Sequence, residues 1–335
     1  MDNVASMADS LGALQSRALE LARTGDFGEE AVRINAEIIR LDPKQEAALT
    51  RLGRCHLEQR QFDEAVSALR AALAVNPANS IAANLLNEVR RRRVLTPTPA
   101  ERATTGFGVR EFTALETLTT EEAKRALGTR IELLFDAINA SAIAAKAVEA
   151  RRRRGEPSTK LFHANSLHAN APGRIVAFQH GGRREPQFNI GWFSHPPHPA
   201  SAVRIGLGFD LSADGRETDR AAGLEQALAH FERFQQTLGT SWKTELARWL
   251  GTVGGFIQWA DRPPAVDLLP EQSVEWLLAC RHAAALGWIF VGRWLFLDNA
   301  DDARILGDRA KLAKAADDTF RALYPLWLGA YEGAS

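Results

Sequence analysis

The run VRIGLGFDLS at residues 203–212 decides the fold of the larger part of this chain. Side chains of a β-strand alternate between its two faces, so a period of two separates the large apolar residues from the glycines and polar residues. The apolar set is Ile205, Leu207, Phe209 and Leu211, and the opposite set is Arg204, Gly206, Gly208, Asp210 and Ser212. The run therefore predicts a strand with one core face and one glycine-rich face.

A second run, QFNIGWF at residues 187–193, shows the same alternation. It buries Phe188, Ile190 and Trp192 and turns Gln187, Asn189 and Gly191 to the other side. Glycines inside strands often mark a place where a ligand or another part of the backbone comes close. Two interpretations stay open: a flat ligand lies on the glycine-rich face, or a helix packs closely against it.

The remaining patterns extend this pair of strands into an α+β domain. Further strands are predicted at residues 174–179, 255–259 and 288–297, and the intervening helices do not alternate regularly with them. Thr119 and Glu122 have the spacing of a capping box, which opens a long helix to about Arg154. The predicted fold of residues 112–335 is a largely antiparallel sheet with flanking helices.

The first 93 residues contain a repeat with a period of 34 residues, which aligns Ala31 with Ala65 and Pro43 with Pro77. The second copy resembles the tetratricopeptide repeat at Leu49, Leu52, Gly53, His56, Ala65, Leu69, Ala72 and Pro77. The resemblance implies paired helices that stack and bind a protein or peptide, or mediate self-association. We predict helical repeats over residues 1–93 and a linker over residues 94–111, where Thr96-Pro97-Thr98-Pro99 interrupts helical patterning.

The composition is that of a soluble globular protein. The 335 residues are 45% hydrophobic, with 41 Lys and Arg against 41 Asp and Glu. Two cysteines are too few for a disulfide framework, which favours a reducing cytoplasm. The first ten residues lack the pattern of a signal peptide, and no apolar run is long enough to span a membrane.

Several familiar catalytic motifs are missing from the sequence. It has no phosphate-binding P-loop, no His-Glu-x-x-His, no Gly-x-Ser-x-Gly and no Cys-x-x-Cys. Because the histidine pairs His163/His168 and His195/His198 have no cysteine partners, we expect no metal, and we expect no cofactor. A Glu-x-Lys at residues 122–124 falls at a helix start, which disfavours a nuclease of the restriction type.

The glycine-rich face suits a nucleobase held by stacking and by hydrogen bonds to its edge. The predicted base pocket consists of Gln187, Asn189, Gly191, Trp192, Phe193, Gly206, Gly208 and Trp294. The predicted phosphate contacts are Lys160, Arg183, Arg184, Arg204 and Arg293, although each arginine could equally form a salt bridge or lie in solvent.

Three segments, at residues 205–212, 290–295 and 320–327, look like parts of the DNA-reading domains of modification-dependent restriction and phage-defence proteins. The resemblance implies a pocket for an extruded, modified base. A carboxylate can stabilise the sugar cation that base removal creates, and Asp210 is our candidate for it; the alternative is a hydrogen bond to a turn amide or a salt bridge with Arg204.

The leading hypothesis is thus a cytoplasmic protein of phage defence that flips a modified DNA base and excises it, as a glycosylase does. A tetratricopeptide scaffold that binds a protein partner is the main alternative, and a modification-dependent nuclease is the third.

Overall fold

The computed structural model describes residues 2–95, 105–156, 159–179, 184–194, 200–212, 220–259, 267–281 and 287–332. The chain divides into two compact units, Met1–Pro97 and Thr98–Ser335. Each unit has hydrophobic clusters of its own. Among the helices in the described ranges, none combines the length and the apolar character that a membrane span requires.

Five helices make up the described part of the first unit, as the repeat predicts. They are α1 (Asp2–Thr24), α2 (Glu29–Leu41), α3 (Glu46–Glu58), α4 (Phe62–Val75) and α5 (Ser80–Leu95). The turn between α1 and α2 places Gly25 at φ +74°, a conformation that glycine adopts without strain.

Small residues at the repeat positions bring paired helices together. Ala65, Leu69 and Ala72 are completely buried in one cluster. A Cβ on Gly53 would lie 2.5 Å from Cγ of Leu69, so α3 and α4 can approach this closely only with glycine there. The tetratricopeptide-like packing predicted for this segment is therefore present.

The second unit combines helices with one sheet, which confirms the predicted α+β class. Its helices are α6 (Val109–Thr117), α7 (Thr120–Asn139), α8 (Ala142–Arg153), α9 (Arg220–Thr237), α10 (Lys243–Val253), α11 (Pro270–Ala279), α12 (Ala300–Leu306) and α13 (Arg309–Glu332). Its strands are β1 (Leu167–Ala171), β2 (Arg174–Phe178), β3 (Gln187–Phe193), β4 (Ala202–Asp210), β5 (Gly255–Trp259) and β6 (Trp288–Phe296).

The six strands form an antiparallel sheet in the order β1-β2-β3-β4-β6-β5. On one face, which we call the helix-covered face, Phe188 packs against Phe320 and stacks on Trp327 of α13. Phe209 on the same face contacts two phenylalanines of α9, Phe231 and Phe234. This face is the core that the alternation predicted.

The structure adds detail at two predicted boundaries. The linker ends earlier than residue 111, because the backbone NH groups of Gly106 and Phe107 donate to the carbonyls of Gly307 and Leu306 and the Phe107 ring packs 5.3 Å from that of Trp192. The long helix predicted from Thr119 is two helices, because the Ser141 side chain accepts a hydrogen bond from the NH of Ala144 and starts α8. The capping box at Thr119 and Glu122 is confirmed.

Candidate functional site

The second sheet face carries an aromatic layer, and we call it the aromatic face. The strand register places Gln187, Asn189, Gly191, Phe193, Arg204, Gly206, Gly208, Asp210, Gln258, Trp288, Phe290, Gly292 and Trp294 on it. A Cβ added to Gly206 or Gly292 would lie 2.8 or 2.6 Å from the ring of Phe290, and one on Gly191 would lie 2.5 Å from that of Phe193. Gly191, Gly206 and Gly292 are therefore covered by aromatic rings of the sheet itself, and a flat ligand on this face stays a prediction.

Arg204 is a buried cation in the middle of this layer. Its guanidinium carbon lies 4.4 Å from the ring centroid of Phe290 and 5.0 Å from that of Phe193. Trp294 and Trp288 follow at 5.7 and 5.8 Å. We call Arg204 and these four rings the aromatic box. Only 5% of Arg204 is exposed.

Few hydrogen bonds compensate the burial of this cation. Nη1 donates to Oε1 of Gln258 at 3.0 Å, and Nε has no acceptor. Within the described ranges no carboxylate lies at ion-pair distance from Arg204. Burial, and then the like charge of Arg174, lowers the pKa of the Arg204 guanidinium to about 9, so the side chain remains charged at neutral pH.

The cation–π contacts alone do not offset the free-energy cost of burying the Arg204 cation. A cation–π contact contributes about 0.5–2 kcal/mol. Removing an ion from water costs several kcal/mol, and each buried donor without an acceptor adds roughly 1–3 kcal/mol. An arginine has five N–H donors, of which Gln258 satisfies one. The aromatic box is thus a place where the fold holds a positive charge with incomplete compensation.

Two further polar atoms without partners lie at the aromatic face, and one of them belongs to a ring of the box. Oδ1 of Asn189, a completely buried residue, accepts no hydrogen bond, and the indole N–H of Trp288 has no acceptor. Both side chains meet above Gly208, where an added Cβ would lie 2.6 Å from Nδ2 of Asn189 and 2.7 Å from the Trp288 ring. The two side chains that carry this acceptor and this donor thus lie close together at the aromatic face.

The Asp210 carboxylate accepts hydrogen bonds at the end of β4. Its Oδ1 accepts hydrogen bonds from the backbone NH of Ser212 at 3.1 Å and from the Ser212 hydroxyl at 2.6 Å. Arg184 lies 3.7 Å from the same oxygen and donates to the carbonyls of Asp210 and Ser212. The carboxylate therefore organises a turn, and its cationic neighbour is Arg184 and not Arg204 as the alternative interpretation had it.

Three of the predicted contacts are not brought to the aromatic face, and a fourth lies outside the described residues. Trp192 lies on the helix-covered face against Phe107, and Arg293 lies there as well, because its register partner is Ile205. Lys160 pairs at the surface with Asp136 of α7, at 3.5 Å. Arg183 lies outside the described residues. The predictions for Trp192 and Arg293 are wrong for the same reason. Each residue occupies a strand position whose side chain lies on the helix-covered face.

Sequence reasoning missed three members of the site. Trp288 and Phe290 share the face of Trp294 at a spacing of two, so the alternation used for β4 could have found them. Gln258 gives a weaker signal, a single polar residue in the short run GFIQW, and its pairing with Phe290 of β6 follows only from the sheet order.

Comparisons with known proteins reach only the first unit. The model of the tetratricopeptide repeat family matches residues 28–89. No curated protein and no solved structure matches the chain. The resemblance of the second unit to readers of modified DNA finds no support in these comparisons.

Proposed function

We propose that the second unit binds DNA that carries a modified base and receives the extruded base at the aromatic face. The observation that carries the proposal is the pair of unsatisfied polar atoms, Oδ1 of Asn189 and the indole N–H of Trp288. An acceptor and a donor side by side complement the edge of a nucleobase, and the neighbouring rings can stack on its plane. A bound base would give both atoms the partners they lack.

Reading is the preferred form of this function, and excision is the less favoured one. A catalytic carboxylate must face the sugar of the extruded nucleotide. Asp210 Oδ1 is instead hydrogen-bonded to Ser212. Phage defence as the biological setting rests on the sequence resemblance alone, and a cytoplasmic location agrees with the low number of cysteines, Cys55 and Cys280.

The test is binding of short fluorescent duplexes that differ at one central cytosine, which is unmodified, 5-methylated, 5-hydroxymethylated or glucosylated. We expect at least one modified duplex to bind about 10-fold more tightly than the unmodified one, the size of a good base-edge contact. Trp288→Phe keeps an aromatic ring, although a smaller one, and removes the N–H, so it should remove most of this preference. Trp259→Phe is the matched control, because Trp259 stacks on Trp276 of α11, away from the aromatic face.

Equal binding of all duplexes would refute the proposal, as would no binding at low salt. Mass spectrometry of the same mixtures checks excision: released base that disappears in Asp210→Asn would restore the glycosylase hypothesis, whereas strand breaks without released base would indicate a nuclease.

A second function, binding of a protein partner by the first unit, is favoured by the family match over residues 28–89. Ile81 on α5 is 63% exposed, so it offers a position for a photo-crosslinking amino acid. Val109, 72% exposed in the second unit, serves as the control. We expect one crosslinked species from position 81 and none from 109; no specific product from either position would contradict this function.

A further inference from the structure

We propose that Arg204 binds an oxyanion, so that the ligand of the aromatic face carries a carboxylate or phosphate group. This inference adds the charge of the ligand to the function proposed above. It can be tested without DNA, so its failure and that of the proposed function are distinguishable. The first argument for it is burial: Arg204 is 5% exposed, and its Nε has no acceptor.

The second argument is a comparison with the other buried arginines of the described chain. Arg151 forms ion pairs with Glu156 and Glu185, and Arg184 pairs with Asp210. Arg293 is half-buried on the helix-covered face. Burial lowers the pKa of its guanidinium, and the negative charges of Asp302 and Asp318 oppose this shift. Arg204 differs from all of these, because the charge that acts on it is another cation, Arg174. A bound anion would supply what a carboxylate supplies to the others.

The third argument is the shape of the aromatic box. Rings of Phe193 and Phe290 lie within 5.0 Å of the guanidinium carbon, and aromatic rings offer its N–H groups no oxygen acceptor. The edge of a guanidinium presents parallel N–H groups that match the two oxygens of a carboxylate or phosphate. Trp288 and Phe256, which pack against this cluster, are only partly buried, so the layer reaches the surface at these residues.

The probes are benzoate, inorganic phosphate and the neutral analogue benzamide, each titrated into the full chain at constant ionic strength. Tryptophan fluorescence is the first readout, since Trp288 and Trp294 are two of the eight tryptophans, and the melting temperature provides a second readout. We expect saturable binding of benzoate or phosphate and none of benzamide. Tighter binding of benzoate assigns a planar carboxylate to the ligand, and tighter binding of phosphate assigns a phosphate group.

Arg204→Met removes the charge and keeps an apolar side chain, and we expect it to weaken anion binding by at least about 10-fold, the effect of losing one charge-assisted contact. Arg293→Met is the matched control, and its anion affinity should equal that of the wild type. If Arg204→Met does not fold, Arg204→Lys replaces it, since lysine keeps the charge but lacks the fork and should also bind the anion more weakly.

Stability without ligand separates this role from a purely structural one. A buried cation kept for a ligand leaves the free protein undercompensated, so Arg204→Met should melt at the wild-type temperature or above it. The proposal is overturned if the wild type shows no saturable anion binding, or if Arg204→Met binds the anion as well as the wild type does.

Discussion

The two faces of one sheet are buried in different ways. On the helix-covered face the rings of Phe188 and Phe209 meet aromatic rings of α13 and α9, although Trp192 and Arg293 on this face also keep a buried N–H without an acceptor. On the aromatic face, rings of the sheet cover its own glycines and enclose Arg204, and buried polar atoms lack partners. The first arrangement is what stability alone selects. The second arrangement lowers the stability of the fold, and local arrangements that lower stability concentrate at functional sites.

The largest effect is expected on the helix-covered face. Phe188→Ala removes a completely buried ring that lies 4.7 Å from Phe320 and 5.4 Å from Trp327, so it should lower the free energy of unfolding by about 3–5 kcal/mol. Urea denaturation of the full chain measures this. A loss below about 1 kcal/mol would mean that the two faces do not differ as described.

Replacing a glycine on the aromatic face should change the free energy of unfolding by a smaller amount. Ala at Gly206 would overlap the Val291 carbonyl and lie 2.8 Å from the Phe290 ring, so Gly206→Ala should lower the free energy of unfolding by roughly 1–3 kcal/mol. Gly128→Ala in α7 is the control, because its Cβ would meet open space and the helix should gain up to about 1 kcal/mol. If Gly206→Ala proves neutral, the rings do not pack on the glycines.

A substitution of Asp210 tests whether this carboxylate, at the end of β4, stabilises the fold or takes part in catalysis. Asp210→Asn keeps the acceptor for Ser212 but removes the charge beside Arg184, so we expect a loss of about 1–2 kcal/mol in the free energy of unfolding. DNA affinity in the binding assay should stay unchanged. A variant with wild-type stability that loses release of a base would instead assign Asp210 to catalysis.

The sequence predicted the faces but not how they are filled. A period of two was enough to assign Phe188, Asn189, Arg204 and Gly206 to their sides, because alternation is a property of the strand itself. The cover of Gly206 depends on Phe290, which lies 84 positions later and joins it only through the order of the strands. Likewise Asp210 could not be matched with Arg184 before the turn was seen.

The smallest expected effect concerns a titratable group among the helices of the covered side. His230 of α9 is 3% exposed, its Nδ1 lies 2.8 Å from the carbonyl of Ala330, and its ring stacks on Tyr331. Burial lowers the pKa of His230, and the nearby charges of Arg233 and Arg154 lower it further although the Ala330 carbonyl opposes them. Unlike Arg204, which stays charged, His230 is therefore neutral in the folded protein at pH 7.

The sign of the pH dependence follows from this. Below about pH 6.5 an unfolded chain protonates this histidine while the folded chain does not, so its contribution to stability is complete above that pH and is lost as the pH falls toward the lowered pKa. His230→Phe cannot take up this proton. Urea denaturation at pH 8, 7, 6 and 5 should therefore show the wild type losing stability relative to His230→Phe only in the acidic half of the range. A difference that stays constant with pH would mean that His230 titrates normally, and the contrast between a neutral buried base on one side and a charged one on the other would be lost.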